Sequence, residues 1–463
     1  MYKNTIIYTV GNILPKAIVF IMLPIYMNYL SPEEYGLIQT INALVSVISI
    51  FYLTSLRTSI TRSFIDYETE NDKQGFVLSV FLFLVMFATV ITIILLNLDS
   101  IITPFLFNNI PKDPYYKYLI ILSFLSIFPV IPLTLMRIRE QAVKFVTFNI
   151  IETILIVILT IYLLIVKDMG AQGSLLALIY AKIIMGIIFT LYIAIFTKLK
   201  IRNCKAIYIY SSLALAIPLI PHHLAGWVNS AADRVLIEQN LSLYELGIYS
   251  LGAQFNSGMM LLVTSFNLAY APKFYKMMKK NEVNQKFFTR IFSSVALILT
   301  LLILLGLILI PLFVKYFGQN SYESNYLFVG FLFGGTLWHL GYIMSVSSII
   351  YYKKMSRVAL LTVATAIFNI LLNILLISVL GITGASLATY LAYFLEFYFV
   401  KRLSNKYTEG IFKIRPKVLY VSQLLLLTSI IFTWILKSSL ILVVPFIILL
   451  VFILKNRKEL LPT

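Results

Sequence analysis

Long apolar runs dominate the chain, and the polar stretches between them are short. Fourteen runs approach or exceed the ~20 residues a helix needs to cross about 30 Å of hydrocarbon. They cover residues 4–29, 35–60, 75–97, 115–136, 143–166, 171–197, 207–237, 243–270, 287–313, 325–350, 357–380, 383–401, 417–436 and 439–454. A turn-rich break from Asn108 to Pro114 separates the third from the fourth. Only Gly381-Ile382-Thr383 stands between the eleventh and twelfth, so the pattern gives twelve to fourteen crossings, read here as fourteen. The predicted class is an all-α polytopic membrane protein.

Two signatures recur at one spacing. Leu30-Ser31-x-x-Glu34-x-Gly36 returns 211 residues later as Leu241-Ser242-x-x-Glu245-x-Gly247, and Gly170-x-x-Gly173 returns at the same displacement as Gly381-x-x-Gly384. A duplicated unit follows. Six runs precede the basic loop Lys198–Lys205 and six follow, ending near Phe399. An even number per unit gives both halves one orientation, so two parallel six-helix lobes are expected, related by an axis along the membrane normal. The predicted division is 1–200 for the first lobe, 201–402 for the second, and 403–463 for an appended helix pair. In each seven-residue signature Ser31 or Ser242 is placed to cap a helix, with Glu34 or Glu245 near its positive end and Pro32 in its first turn.

Composition agrees with the pattern: 60% of residues are apolar and 12% charged, outside the range of soluble domains. The single Cys204 excludes a disulfide framework, and no cleavable leader is evident. Charge orients the spans. With the N-terminus inside, outward segments keep only Lys112, Lys117, Lys167, Arg234, Lys315 and Lys437 of the 37 Lys and Arg, and Lys16 and Lys182 sit within spans. All the others fall inside, Arg57, Arg137, Lys413, Arg415, Arg457 and Lys458 among them. That asymmetry is the positive-inside rule, with both termini cytoplasmic. It also accounts for a net charge of +18 through anionic lipid headgroups, so no nucleic acid is expected as a partner.

Leu30-Ser31-Pro32-Glu33-Glu34-Tyr35-Gly36, with Arg57 or Arg62 at the far end of the second span, resembles the polysaccharide flippases of bacterial surface-glycan synthesis. Ala232-Asp233-Arg234 followed by Leu241-Ser242 and Glu245-Leu246-Gly247-Ile248-Tyr249 resembles the start of that family's second lobe. The likeness covers nearly the whole chain. The wider superfamily also holds multidrug antiporters and lipid II flippases. The resemblance implies a two-lobed V-shaped transporter in the bacterial cytoplasmic (inner) membrane, working by alternating access. Its substrate would be undecaprenyl-pyrophosphate-linked oligosaccharide, moved from the inner to the outer leaflet for polysaccharides such as O-antigen of lipopolysaccharide. A monomer is expected, in contact with membrane lipids and with the glycan polymerase of the same pathway, and no cofactor is implied.

A pyrophosphate headgroup carries about two negative charges through a low-dielectric slab, so in-span cations become candidate ligands. Lys16 lies about twelve residues into the first span and Lys182 about eleven into the sixth, both near the midplane at ~1.5 Å per residue. Pro15 and Pro24 interrupt the first span, and Pro218 and Pro221 its repeat equivalent, the seventh. Broken helices at matching positions point to a transport site. Lys16 is either a phosphate ligand or a cation snorkelling or paired with Glu152. Arg57, about 33 Å along its helix from the outer turn, is a candidate for capture at the cytoplasmic mouth or an ordinary positive-inside anchor. Asp233-Arg234 reads as a local ion pair, or Arg234 as a receiver of the pyrophosphate on the outer side. His222 and His223 are candidates for sugar contact or coupled protonation, against ordinary buried histidines. Asn42 and Gln254, with Asn256 and Asn267, are candidate cavity lining. Glu152 and Asp233 are candidate ion-pair or coupling groups.

Three His and one Cys supply no metal-ligand spacing, and no metal site is expected. No paired carboxylates, Ser/His arrangement or phosphate-binding glycine loop stands out, so an enzyme is not expected. A multidrug cation antiporter of the same fold is one alternative, but it calls for buried carboxylates, and the only charge within the first span is Lys16. A lipid II flippase is the other, differing mainly in its headgroup pocket. The repeats disagree where chemistry is expected: Lys16 aligns with Trp227 and Arg234 with Leu23.

Overall fold

The computed structural model describes residues 2–280, 285–324, 326–408, 417–436 and 439–455. Lys413, Arg415, Lys437, Arg457 and Lys458 of the charge pattern, and the C-terminal end, lie outside the described residues. Among the described residues every regular element is helical. The first apolar run forms α1 (Tyr2–Ile21) and α2 (Leu23–Tyr29), and the second α3 (Pro32–Phe51) and α4 (Leu56–Ser63). Next come α5 (Glu70–Asn97), a short α6 (Asp99–Leu106), and α7 (Tyr115–Leu125) with α8 (Val130–Ile138). α9 (Ala142–Ile161) ends in a π-helical turn, Tyr162–Val166, and leads to α10 (Gly170–Thr197). The seventh run forms α11 (Ala206–Ala216) and α12 (Ile220–Asn240), joined by a 3₁₀ turn, Ile217–Leu219. The remainder forms α13 (Leu243–Lys279), α14 (Gln285–Phe317), α15 (Phe328–Tyr351), α16 (Met355–Tyr407), α17 (Lys417–Leu436) and α18 (Val443–Lys455). Ten helical segments among the described residues are long and apolar enough to cross a membrane, and Ile13–Tyr29 and Val443–Leu454 are shorter apolar helices. With α13, and with α16 split at Gly381 (φ 57°, ψ −138°), this is compatible with fourteen crossings.

Prolines break the chain selectively. Pro218 and Pro221 sit at the α11–α12 turn, and Pro24 starts α2. Pro15 does not interrupt its span: α1 continues through it. An interior proline removes one donor, but the bonds on either side persist, and the break falls instead at Met22, just ahead of Pro24.

The chain separates into two compact units, Met1–Gly247 and Ile248–Thr463. In the first, α1 packs on α9, α10 packs on α9, α7, α3 and α5, and α4 packs on α8. The seventh run belongs to this unit as well: α11 lies against α4 and α5, and α12 against α3. The loop before α11 is clamped to the start of α5. Asp72 accepts hydrogen bonds from Tyr208 at 2.7 Å and Lys205 at 3.0 Å, and the Tyr208 hydroxyl and the Asp72 carboxylate push the Lys205 ammonium up to about 12.

In the second unit α15 is the most deeply buried helix, packed against α16, α17 and α14. Its hydroxyls need partners in an apolar surround, and they find them locally. Ser345 donates to Gly341 O at 2.8 Å and Ser347 to Ile343 O at 2.9 Å, while Ser348 Oγ lies 2.6 Å from Ser404 Oγ of α16.

Both duplicated signatures have a structural reason. At Ser31 and at Ser242 the turn closes as a capping box: Glu34 N donates to Ser31 Oγ at 3.3 Å and Glu245 N to Ser242 Oγ at 3.2 Å, and each glutamate accepts from its serine's backbone N–H. Glu34 does more, because its Oε1 also accepts from Ala171 N at the start of α10 (3.0 Å). Gly170 and Gly381 both have positive φ, and a Cβ at Gly173 would lie 2.9 Å from Leu163 O. A Cβ at Gly384 would likewise overlap Leu376 O.

Candidate functional site

Of the apolar runs in the first unit that are split into two helices, the second and the fourth have breaks that meet. Residues 52–55 separate α3 from α4, and residues 126–129 separate α7 from α8. In the second case the cause is Pro129, which has no N–H for Leu125 O and disfavours helical geometry at Phe128 before it. The first case has neither proline nor glycine. Leu53 adopts a left-handed conformation (φ 60°), which costs a non-glycine residue about 1–2 kcal/mol. Hydroxyls occupy the carbonyls nearby: Thr54 Oγ1 donates to Ser49 O at 3.0 Å, and Ser49 Oγ to Val45 O at 2.6 Å. Ser49 Oγ lies 2.7 Å from Ser126 Oγ and ties the two breaks together. Around them, Tyr52, Leu56, Ile127 and Ile131 belong to one buried cluster with Phe76 and Val80, which holds the irregular backbone in place.

A cavity of about 350 Å³ opens at this junction. The start of α4 contributes Ser55, Arg57 and Thr58, and α8 contributes Thr134 and Arg137. Thr54 from the break and His223 from α12 complete its polar lining, and Ile50, Pro129, Val130 and Leu133 its apolar walls. No carboxylate is among these residues. The first turns of two half-helices face the space, so the positive ends of their dipoles add to two guanidinium charges. Both arginines are exposed at the cavity, and the Arg137 guanidinium sits 4.3 Å from the centroid of the Phe145 ring. Ser55 is 3% exposed, and its Oγ has no hydrogen-bond partner among the described residues. One turn beyond His223 on α12, Trp227 Nε1 donates to Ala43 O at 2.9 Å and ties α12 to α3. Two forked cations, an imidazole and spare hydroxyls without an acid form a site for a multiply charged oxyanion.

Of the sequence candidates, the structure brings Arg57 and His223 together. His222 is exposed, its ring 5.9 Å from that of His223. Asn42 is half-buried on α3, and Lys16 is exposed on α1. Glu152 pairs with Lys182 rather than with Lys16: Nζ and Oε1 are 3.5 Å apart and join α9 to α10. Arg234 and Asp233 form a local pair at 3.4 Å, and the guanidinium also donates to Ser230 O at 3.0 Å. In the second unit Gln254 is half-buried, Asn256 Oδ1 accepts from Thr336 at 2.7 Å, and Asn267 Oδ1 is buried without a partner among the described residues. Sequence reasoning missed Arg137 and the hydroxyls. Its signal was present in Pro129 and Pro132, which mark the fourth run as broken, and in Thr54-Ser55-x-Arg57-Thr58-Ser59, a polar cluster inside an apolar run.

The family described as polysaccharide biosynthesis protein matches residues 1–278. The chain belongs to that family. Among curated relatives, the Lsg locus putative protein 1 of Haemophilus influenzae is 23% identical over 376 residues, covering 80% of this chain and 90% of the relative. An uncharacterised membrane protein of Methanocaldococcus jannaschii is 21% identical over 410 residues, covering 84% and 94%. Among solved structures, the lipid II flippase MurJ in an inward closed conformation superposes with a TM-score of 0.71 at 16% identity, over 98% of this chain and 99% of MurJ. An inward-facing multidrug transporter of the MATE family gives 0.67 at 11% identity, over 87% and 96%. The chain of this polysaccharide biosynthesis family therefore shares its membrane fold with a lipid II flippase and a multidrug transporter.

Proposed function

We propose that this polysaccharide biosynthesis protein is a flippase for a polyprenyl-pyrophosphate-linked oligosaccharide, of the undecaprenyl type, moved from the inner to the outer leaflet by alternating access. One observation carries the reading: in a chain this apolar, the cavity at the helix breaks presents Arg57, Arg137 and His223 with four hydroxyls and no carboxylate. A cationic drug finds no counter-charge there, whereas a pyrophosphate finds two forked donors. The excess of basic residues in alternate loops supports a cytoplasmic mouth for this cavity, in a bacterial inner-membrane protein with both termini inside, where a lipid-linked glycan is assembled. The duplicated halves 1–200 and 201–402 act as the two lobes, with 403–463 appended, and a polymerase of the same pathway takes the product on the outer side. O-antigen units of lipopolysaccharide are one such cargo. Arg57 and Arg137 capture the pyrophosphate, the hydroxyls replace its water, and His223 bonds either phosphate or the first sugar.

The test uses proteoliposomes with a fluorescent short-chain polyprenyl-pyrophosphate sugar. Each charged hydrogen bond to phosphate contributes about 1.5–3 kcal/mol, so Arg57→Ala or Arg137→Ala alone should slow flipping roughly tenfold to a hundredfold, and the double variant should abolish it. Lys at either position should retain more activity than Ala, because charge sign dominates. Wild-type rates in the double variant would sink the proposal, as would transport of a cationic dye in place of the pyrophosphate lipid.

A further inference from the structure

The outer ends of α3 and α12 carry a second constellation, remote from the arginine cavity. Glu238, in the last turn of α12, is fully buried. Its Oε1 accepts hydrogen bonds from two consecutive backbone amides, Asn108 N at 2.8 Å and Asn109 N at 2.6 Å. The Asn109 side chain returns two bonds, to Glu238 O at 2.6 Å and Leu241 O at 2.9 Å. Asn108 Nδ2 donates to Gln239 O at 3.2 Å, and Gln239 Nε2 to Phe105 O at 2.8 Å. Six hydrogen bonds thus join the end of α6 and the segment after it to the end of α12. Beside them, the two repeat turns touch: a Cβ at Gly247 would overlap Pro32 O, and one at Gly36 would lie 2.6 Å from Leu243 O.

We infer that the Glu238–Asn108–Asn109 clasp and the Gly36–Gly247 contact form one outer latch, which must open to deliver cargo to the outer side. The inference rests on the alternating-access reading above. Along α12, His223 lines the cavity and Glu238 lies fifteen positions further on, about 22 Å at ~1.5 Å per residue. Cargo that leaves the cavity along α12 toward the repeat turns would meet the latch. Its chemistry suits a contact that is made and broken. The seal is a buried carboxylate held by the backbone amides of the segment it clasps, not an apolar packing surface. Opening exchanges these hydrogen bonds for bonds to water at the amides and at the Glu238 carboxylate, so little net hydrogen bonding is lost. That exchange suits a two-state element. Glycines at both turns let the backbones meet without side chains that would interlock.

Two measurements on the full chain test this, both in a Cys204→Ser background. Asn108→Cys with Gln239→Cys should cross-link on oxidation, slow flipping of the polyprenyl-pyrophosphate probe by roughly tenfold or more, and recover on reduction. Flipping at the reduced rate while cross-linked overturns the latch. Spin labels at exposed Lys117 and Asn240 read the same element without any substrate. Two distance populations are expected, with the longer one enriched by Glu238→Ala and by Asn109→Ala. A single distance unchanged in all three proteins overturns the latch whatever is transported. A reduced protein that moves no probe, yet shows the two populations, instead counts against the proposed cargo.

Discussion

At the scale of single residues, the structure separates charges that bind from charges that brace. Arg57 is exposed at a cavity, so its removal should affect transport and leave the melting temperature almost unchanged. Arg137 is stacked on the buried Phe145 ring, so its removal should lose about 0.5–1 kcal/mol of stability as well as transport. Lys182 and Glu152 are the contrasting case. Their side chains are 23% and 18% exposed and meet between two apolar helices, where an uncompensated charge is costly. Lys182→Met or Glu152→Gln alone should destabilise by about 1–3 kcal/mol, less than the 3–5 of a fully buried pair. The double variant should recover much of that loss in a thermal unfolding cycle. Equal additive losses would mean that the two side chains are not coupled. Sequence placed both lysines at midplane depth but had no means of telling a braced cation from a free one. That distinction depends on which faces of α9 and α10 meet, and helix rotation is poorly encoded where every face is apolar.

At the scale of elements, the duplicated signatures were legible and their roles transferable. Ser31 and Ser242 cap helices as the spacing predicts, and Gly170 and Gly381 both adopt positive φ. What sequence did not reveal is that the two copies of one signature face each other. Gly247→Ala should therefore be among the most disruptive glycine substitutions, losing about 1–3 kcal/mol through forced displacement of the Pro32 carbonyl. Gly226→Ala is the control: nothing lies within 4 Å of its Cβ position, and it sits in a helix interior, so stability should hold or rise. Thermal unfolding of the two variants in matched detergent reads the difference directly. The helix breaks split the same way. Pro24, Pro218, Pro221 and Pro129 announce theirs, whereas residues 52–55 break with no proline or glycine, under the packing of Tyr52, Leu53 and Leu56. That break builds half of the cavity and is tertiary in origin, so sequence offered Arg57 as a candidate without showing the backbone break beside it, whereas Pro129 marked the break that leads to Arg137 but not that the two breaks meet.

At the scale of the whole molecule, the proposed cargo sets an electrical constraint independent of how the helices move. Over a complete cycle the protein returns to its starting state, so every charge it carries outward, Arg57 and Arg137 included, it also carries back. The net displacement is that of the cargo, about two negative charges, unless other ions accompany it. Moving one elementary charge across 100 mV is worth about 2.3 kcal/mol, so an uncoupled pyrophosphate carrier should respond strongly to potential. In proteoliposomes holding a potassium diffusion potential, the fluorescent polyprenyl-pyrophosphate probe should accumulate in the leaflet on the positive side, and reversing the potential should reverse the accumulation. The readout does not depend on protein orientation, because a facilitated path equilibrates the probe from both directions. A distribution that ignores the potential would require two cations to cross with each pyrophosphate, and collapsing the proton or the sodium gradient in turn would identify them. Because the arginine cavity contains no carboxylate to hold such cations, the expected outcome is the uncoupled one, with the cell's inside-negative potential itself driving the glycan outward.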